Sequence, residues 1–173
     1  MKNNFTSKDT ILVGLLIALK VVLSRITGIS FGIVKITFGF IASAFTGFLF
    51  GPWIAAIAGA LGDIIGFFLF PQGTYFPGYT LTAAISGAIY GFILYNKKPT
   101  LLRIFLAVAL QGLIGSLILN TLWTSVLYNK AFLAILPARV LKNVLAIPIN
   151  TFLLYFIFRY LVVYLRPLRS KTE

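Results

Sequence analysis

Residues 33–70 have the sequence IVKITFGFIASAFTGFLF, then GPW, then IAAIAGALGDIIGFFLF, so two apolar runs meet at Gly51-Pro52. A helix that spans a membrane needs roughly 20 mostly apolar residues. Glycine permits a positive φ and proline starts a helix well, so this break predicts two adjacent spans joined by a tight turn. The stretch therefore indicates an integral membrane protein built from helices.

The rest of the chain continues this pattern. Of its 173 residues, 60% are hydrophobic and three are acidic, a balance too apolar for a water-soluble fold of this length. The sequence predicts an all-α integral membrane protein, a bundle of six transmembrane helices in a single domain over residues 1–173. The predicted spans are about 10–27, 33–50, 52–70, 79–95, 101–126 and 138–165.

Basic residues predict how these spans are oriented, because cytoplasmic loops carry an excess of Lys and Arg. They precede the first span, lie between the fourth and fifth, and come after the sixth: Lys2, Lys8, Lys97, Lys98, Arg103, Arg166, Arg169 and Lys171. These three sites lie on one side of the membrane only if the number of spans is even. We therefore expect six helices with both termini in the cytoplasm.

A second group of basic residues falls on the opposite side of this topology. Arg25 and Lys35 flank the first external connection, and Lys130, Arg139 and Lys142 flank the last. A single residue of this kind could snorkel to lipid headgroups. A cluster at the external ends of helices favours an anionic ligand.

Two spans carry further polar groups. Asp63 is the one acidic residue inside a predicted span, and it could form an ion pair between helices or contact a ligand that carries adjacent ring N–H and amino donors. In the fifth span Gly112, Ser116 and Asn120 recur every four residues, with Trp123 one turn further along the same face. Asn120 offers a donor and an acceptor, and Trp123 a plane for stacking.

Two connections are expected to cover a pocket at the external end of the bundle. The segment 71–79 is rich in aromatic residues, Gly and Pro, which suits a lid more than a plain turn. The stretch 25–38 is polar, contains glycine and is expected to act in the same way.

Small residues recur at helical spacing, as is typical of helices that pack closely in lipid. Those expected to pack inside the bundle are Gly59, Gly62 and Gly66; Thr80, Ala84, Gly87 and Gly91; and Gly112 and Ser116. Gly14 and Ala18 in the first span could equally form an external face for another membrane protein.

The composition also excludes several functions. The chain has no Cys and no His, so thiolate or imidazole catalysis and the usual metal sites are not expected. It lacks the Gly-x-x-x-x-Gly-Lys-Ser/Thr loop and cannot hydrolyse ATP by that route. The net charge is +12, but the basic residues form no continuous face for nucleic acid. We expect neither an enzyme nor a cofactor.

Several motifs occur in order along almost the whole chain: RITG at 25–28, IVKITFGF at 33–40, GPW at 51–53 with Asp63 downstream, FPGYTL at 76–81, NTLW at 120–123 and LPAR at 136–139. Together they resemble the substrate-binding S components of energy-coupling factor (ECF) vitamin transporters, and within that family the folate-specific branch.

The resemblance implies a single transmembrane substrate-binding domain in the bacterial cytoplasmic membrane, part of an ECF-type ABC importer. Such a subunit would capture extracellular folate and reorient in the membrane on a coupling protein driven by two ATPase subunits. Folate would be its transported ligand and not a cofactor. Gly14 and Ala18 match the spacing of the family's small-residue motif for the coupling protein, with Gly at a place where Ala is usual.

Folate suits the candidate residues. Its pterin offers donors to a carboxylate or an amide and a plane for stacking, and its glutamate tail carries two carboxylates for basic side chains. The residues expected to bind it are Arg25, Lys35, Phe38, Asp63, Phe76, Pro77, Gly78, Tyr79, Thr80, Asn120, Trp123, Arg139 and Lys142. Which basic residue meets which carboxylate stays open at this point.

Two alternatives also stay open. One is an S component for a different vitamin, although the external basic cluster disfavours riboflavin and thiamine. The other is a self-sufficient channel or secondary carrier, for which the sequence shows neither a coupling element nor an inverted repeat.

Overall fold

A computed structural model describes residues 6–26, 29–31, 34–71, 73–129 and 131–170. Its helices are α1 (Ser7–Arg25), α2 (Gly39–Leu69), α3 (Pro77–Leu94), α4 (Leu101–Gln111), α5 (Asn120–Tyr128) and α6 (Phe132–Ser170). A π-helical segment, Gly112–Leu119, joins α4 to α5, and two short strands, β1 (Ile29–Phe31) and β2 (Val34–Ile36), lie between α1 and α2. The predicted helical fold is confirmed.

Helix α2 contains the break at Gly51-Pro52. Gly51 has φ 83° and ψ −178°, far from helical values, so α2 consists of two arms on either side of it. Only glycine adopts this conformation without strain, and Pro52 can start the second arm because it has no N–H to satisfy. The break lies between the predicted spans 33–50 and 52–70.

Local sequence also explains other helix ends. Thr6 and Asp9 form a capping box at the start of α1, and Pro77 occupies the first position of α3. Asn96 after α3 and Asn129 after α5 have left-handed backbones, with φ 54° and 49°. Asparagine tolerates this conformation better than most residues and ends helices there.

Two helix starts differ most from the sequence expectation. The span predicted from residue 33 begins as a helix only at Gly39, because Val34–Ile36 pairs with Ile29–Phe31 as an antiparallel hairpin in which Ser30 faces Lys35. Extended structure suits these β-branched and aromatic residues. Helix α6 begins at Phe132, not at 138, so Pro137 lies inside it. Asn129 ends α5 directly before this earlier start.

The chain is a membrane protein. Within the described ranges, four helical stretches are long and apolar enough to cross a membrane: Gly39–Leu69, Pro77–Leu94, Leu101–Tyr128 and Phe132–Tyr160. Large apolar side chains such as Ile57, Leu61 and Phe68 are exposed along the outside of α2. In a bilayer these side chains meet lipid instead of water.

The packed core occupies the end of the bundle where α3 ends and α4 begins. Its fully buried members include Tyr90, Leu94, Ile104, Leu154 and Phe158. The opposite end, where α1 ends and α6 begins, is left open for a cavity.

Glycines bring α2 and α3 into close contact, as the sequence predicts. A Cβ atom at Gly59 would overlap the carbonyl of Ala83, and one at Gly87 would overlap the carbonyl of Ala55. The two backbones therefore touch, and α3 is held firmly beside the second arm of α2.

Candidate ligand-binding site

Two basic side chains of α1 lie against glycines of α2. A Cβ atom at Gly62 would lie 3.0 Å from Cδ of Lys20, and one at Gly66 would lie 3.2 Å from Nε of Arg25. The Lys20 ammonium donates a hydrogen bond to the carbonyl oxygen of Gly59 at 2.8 Å. Because Gly62 and Gly66 have no side chains, they leave a trough along α2. Lys20 and Arg25 lie in this trough at the α1–α2 interface.

Asp63 lies beside this trough and has two partners. Its Oδ1 is 3.3 Å from Nη2 of Arg25, and its Oδ2 accepts a hydrogen bond from the Thr80 hydroxyl at 2.9 Å. The Tyr75 hydroxyl lies 3.2 Å from Thr80 Oγ1. Because the Thr80 proton points to the carboxylate, Tyr75 is the donor in that contact. The ion pair between helices, one of the two possibilities for Asp63, is therefore present.

The facing wall is organised around Arg139 of α6. Its Nη2 donates to Thr124 Oγ1 at 2.7 Å and its Nη1 to the carbonyl oxygen of Ser116 at 3.3 Å. Thr124 donates its own proton to the carbonyl oxygen of Asn120 at 2.6 Å. The Tyr79 hydroxyl, 2.9 Å from Thr124 Oγ1, must then be a donor as well. One threonine thus ties α3, α5 and α6 together.

Aromatic rings form a third side. Phe76 lies 5.7 Å from the ring of Trp123 and 6.2 Å from that of Tyr79, measured between ring centroids. The indole N–H of Trp123 donates to Thr82 Oγ1 at 3.0 Å, and the ring packs on Gly78, where a Cβ would overlap it. Trp123 therefore supports Phe76 from behind.

These walls enclose a cavity of about 810 Å³. The side chains and backbone that line it are Lys20, Ser24, Arg25, Thr37, Gly62, Asp63, Phe67, Thr74, Tyr75, Phe76, Tyr79, Asn120, Thr124, Leu127, Tyr128, Ala134, Ile135, Ala138, Arg139 and Lys142. This volume is within the range of roughly 300–1,000 Å³ typical of sites for small organic ligands.

Comparison with known proteins identifies the family. The model of the family described as "ECF transporter, substrate-specific component" matches residues 8–158. The chain belongs to the substrate-specific components of ECF transporters. The family is part of a transporter and not an enzyme, as the sequence predicts.

Relatives of this S component carry a consistent description. The folate transporter FolT of Clostridium novyi is 39% identical over 140 residues, 81% of each chain. FolT of Leuconostoc mesenteroides is 32% identical over 157 residues, 87% of this chain and 84% of that one. A solved structure of FolT bound with folic acid superposes with a TM-score of 0.83 at 38% identity, covering 88% of this chain and 93% of that chain.

The S component brings many of the residues predicted from sequence to one cavity. Those that line it are Arg25, Asp63, Phe76, Tyr79, Asn120, Arg139 and Lys142. Those that do not line it are Phe38, Pro77, Gly78, Thr80 and Trp123. Thr80 contacts Asp63, while Gly78 and Trp123 pack behind Phe76. Lys35 lies in β2 with its side chain outside the described part of the chain, and Lys130 is outside it altogether.

Sequence reasoning missed several lining residues, above all Lys20 and Thr124. The signal for Lys20 was a charged residue inside the predicted span 10–27, which is expensive in lipid unless it faces the bundle interior. The signal for Thr124 was its spacing of four residues from Asn120, which places the two on one helix face.

The face predicted for a partner protein is exposed. Gly14 and Ala18 are both exposed on α1, and a Cβ at Gly14 would meet no atom within 4 Å. Among the described residues, nothing of the bundle covers Gly14.

Proposed function

We propose that this S component binds folate in the 810 Å³ cavity and delivers it as the capture subunit of an ECF importer. The observation that carries the proposal is the charge of the lining. Four basic side chains, Lys20, Arg25, Arg139 and Lys142, accompany a single carboxylate, Asp63. A surplus of positive charge inside a membrane protein favours an anionic ligand, and the two carboxylates of folate suit it. The folate-binding relatives support this ligand.

The two ends of folate suit different walls. We place the glutamate tail against Arg139 and Lys142, because the described hydrogen bonds of Arg139 go to neutral oxygens and a carboxylate would add an anionic partner. We place the pterin beside Asp63, whose oxygens retain lone pairs for the ring N–H and amino donors. The rings of Phe76 and Tyr79 lie between these walls and suit the flat parts of the ligand.

We further propose a topology of six spans with both termini in the cytoplasm. The spans are α1, the two arms of α2, α3, the continuous stretch from α4 to α5, and α6. This arrangement puts the cavity on the external side of the bacterial cell membrane, where α1 ends and α6 begins. The distribution of Lys and Arg supports it.

The importer needs partners that hydrolyse ATP. We propose that a transmembrane coupling protein, driven by two ATPase subunits, docks on the exposed α1 face that contains Gly14 and Ala18. Small residues allow a second helix to approach closely in lipid. The family membership supports this assembly.

The test is isothermal titration of the detergent-purified chain, without any partner, against folate, riboflavin and thiamine. The expected result is saturable binding of folate alone, at one per chain. Binding of another vitamin in place of folate would overturn the ligand and leave the family unchanged. Transport by the chain alone in proteoliposomes would instead support the secondary carrier.

A further inference from the structure

We propose that Lys20 determines specificity: together with Asp63 it recognises the 2-amino-4-oxo edge of the pterin and disfavours ligands with a 4-amino group. This inference rests on the proposed binding of folate. It concerns a residue that the sequence patterns did not single out and that the structure places in the wall of the cavity.

The position of Lys20 is set by α2. Its side chain runs across Gly62, with Cδ and Cε 3.0 and 3.6 Å from where a Cβ would lie. Asp63 is the next residue along α2, and the Lys20 charge is near enough to interact with it electrostatically. The two are nevertheless not an ion pair: in the described part of the chain, the only salt bridge within 4.0 Å is that of Asp63 with Arg25. The Lys20 ammonium and the Asp63 carboxylate are therefore near each other but more than 4.0 Å apart.

The Lys20 ammonium can donate further hydrogen bonds to a ligand. Lys20 carries three N–H bonds, and its one hydrogen bond among the described residues goes to the Gly59 carbonyl. That bond fixes the direction of the side chain, and Lys20 contributes to the cavity surface. A ligand oxygen next to Asp63 would be an acceptor for a second N–H.

The pterin edge has the matching order of groups. Its 2-amino group and N3–H are donors, which suit the Asp63 carboxylate, and its 4-oxo group next to them is an acceptor, which suits the Lys20 ammonium. In the 4-amino analogue the acceptor becomes a donor and N3 loses its hydrogen. Lys20 would then face a donor, and a site built for one hydrogen-bond pattern rejects the reversed one.

The experiment compares folate with its 4-amino analogue, aminopterin, which carries the same glutamate tail. Affinities are measured by titration for the wild-type chain, for Lys20→Met, and for Lys97→Met. Met keeps most of the length of the side chain and removes the charge. Lys97 is the matched control, because its ammonium also donates to a backbone carbonyl, that of Phe92, but lies outside the cavity.

We expect wild-type to bind folate at least about tenfold more tightly than aminopterin, since a hydrogen bond to a charged group contributes roughly that much. Lys20→Met should lose about tenfold for folate and less than about threefold for aminopterin, while Lys97→Met changes neither.

Each other outcome counts against the idea. If the wild-type chain binds folate and aminopterin with equal affinity, the proposal is wrong. This result needs no variant, so it holds even if Lys20→Met folds poorly. Equal losses for both ligands in Lys20→Met would show that Lys20 only supports the fold or binds the shared tail. A wild-type chain that does not bind folate at all would refute the proposed function instead.

Discussion

Replacing Asp63 by Asn tests the polar centre of the cavity. The change keeps the shape of the side chain but turns one of two acceptors into a donor, which faces either the ligand donors or the Thr80 hydroxyl. One pterin hydrogen bond of about 1.5 kcal/mol, the low end of the charged range, is lost, the other weakens by about 0.5 kcal/mol as it becomes neutral, and the pterin donor left without an acceptor costs about 1 kcal/mol, so the loss is about 3 kcal/mol. Because the Asp63 side chain is 21% exposed, the low end applies.

A competing effect has the opposite sign. Removing a negative charge strengthens the attraction for the two carboxylates of folate, but across about 10 Å of water this amounts to about 0.4 kcal/mol each. The net loss is then about 2 kcal/mol, or about 30-fold in the dissociation constant. The lost contacts outweigh the gained attraction.

The assay is titration of folate into purified Asp63→Asn and into a control, Asp9→Asn. Asp9 accepts hydrogen bonds from Thr6 in the exposed capping box of α1, far from the cavity lining. Its replacement should leave the affinity for folate unchanged. Unchanged affinity in Asp63→Asn, or an equal loss in both variants, would remove Asp63 from the ligand site.

Three further outcomes are expected. Gly14→Trp should leave folate affinity within about twofold but abolish ATP-dependent uptake by chains reconstituted with their partners, because only the exposed face is blocked; weaker binding would place that face inside the bundle. Gly87→Ala should reduce the free energy of unfolding by about 1–3 kcal/mol, since its methyl group would overlap the facing helix. Gly112→Ala is the control, because the nearest atoms to its added methyl group lie at an ordinary 3.5 Å. If thermal unfolding shows the same loss of stability in both variants, the overlap at Gly87 is not the cause. Trp123→Ala should weaken folate binding about five- to tenfold, because Phe76 loses the ring behind it; unchanged affinity in the titration would show that Phe76 needs no such support.

Much of the candidate site could be predicted from residue type and position. Arg25, Asp63, Arg139 and Lys142 were singled out because charges near the external ends of spans are costly, and all four line one cavity. The break at Gly51 was equally predictable, because few residues other than glycine adopt its backbone.

The other residues of the site could not be predicted, because their positions depend on departures from the regular helical period and on contacts between helices. The spacing of Gly112, Asn120 and Trp123 predicts one common face, but the segment Gly112–Leu119 is π-helical, and its wider turns rotate α5 relative to α4. Gly112 therefore no longer shares a regular face with α5. Within α5, Asn120 and Thr124, four residues apart, line the cavity, while Trp123 donates its indole N–H to Thr82. The direction of Lys20 was likewise hidden, because it is set by a glycine 42 residues away along the chain, at Gly62.

The trough between α1 and α2 has a consequence for biogenesis. Helix α1 carries four charged residues, Lys8, Asp9, Lys20 and Arg25, and is not among the helices apolar enough to cross a membrane by composition. A Lys or Arg at the middle of a span adds about 2.5–3.5 kcal/mol to the cost of leaving the translocon for lipid, and Lys20, inside α1, meets more of this cost than Arg25 at its end. The partners that offset this cost, the Gly59 carbonyl and Asp63, are synthesised only later, in α2. Under the proposed six-span topology, we therefore expect stable integration of α1 to depend on the second arm of α2, which carries both partners.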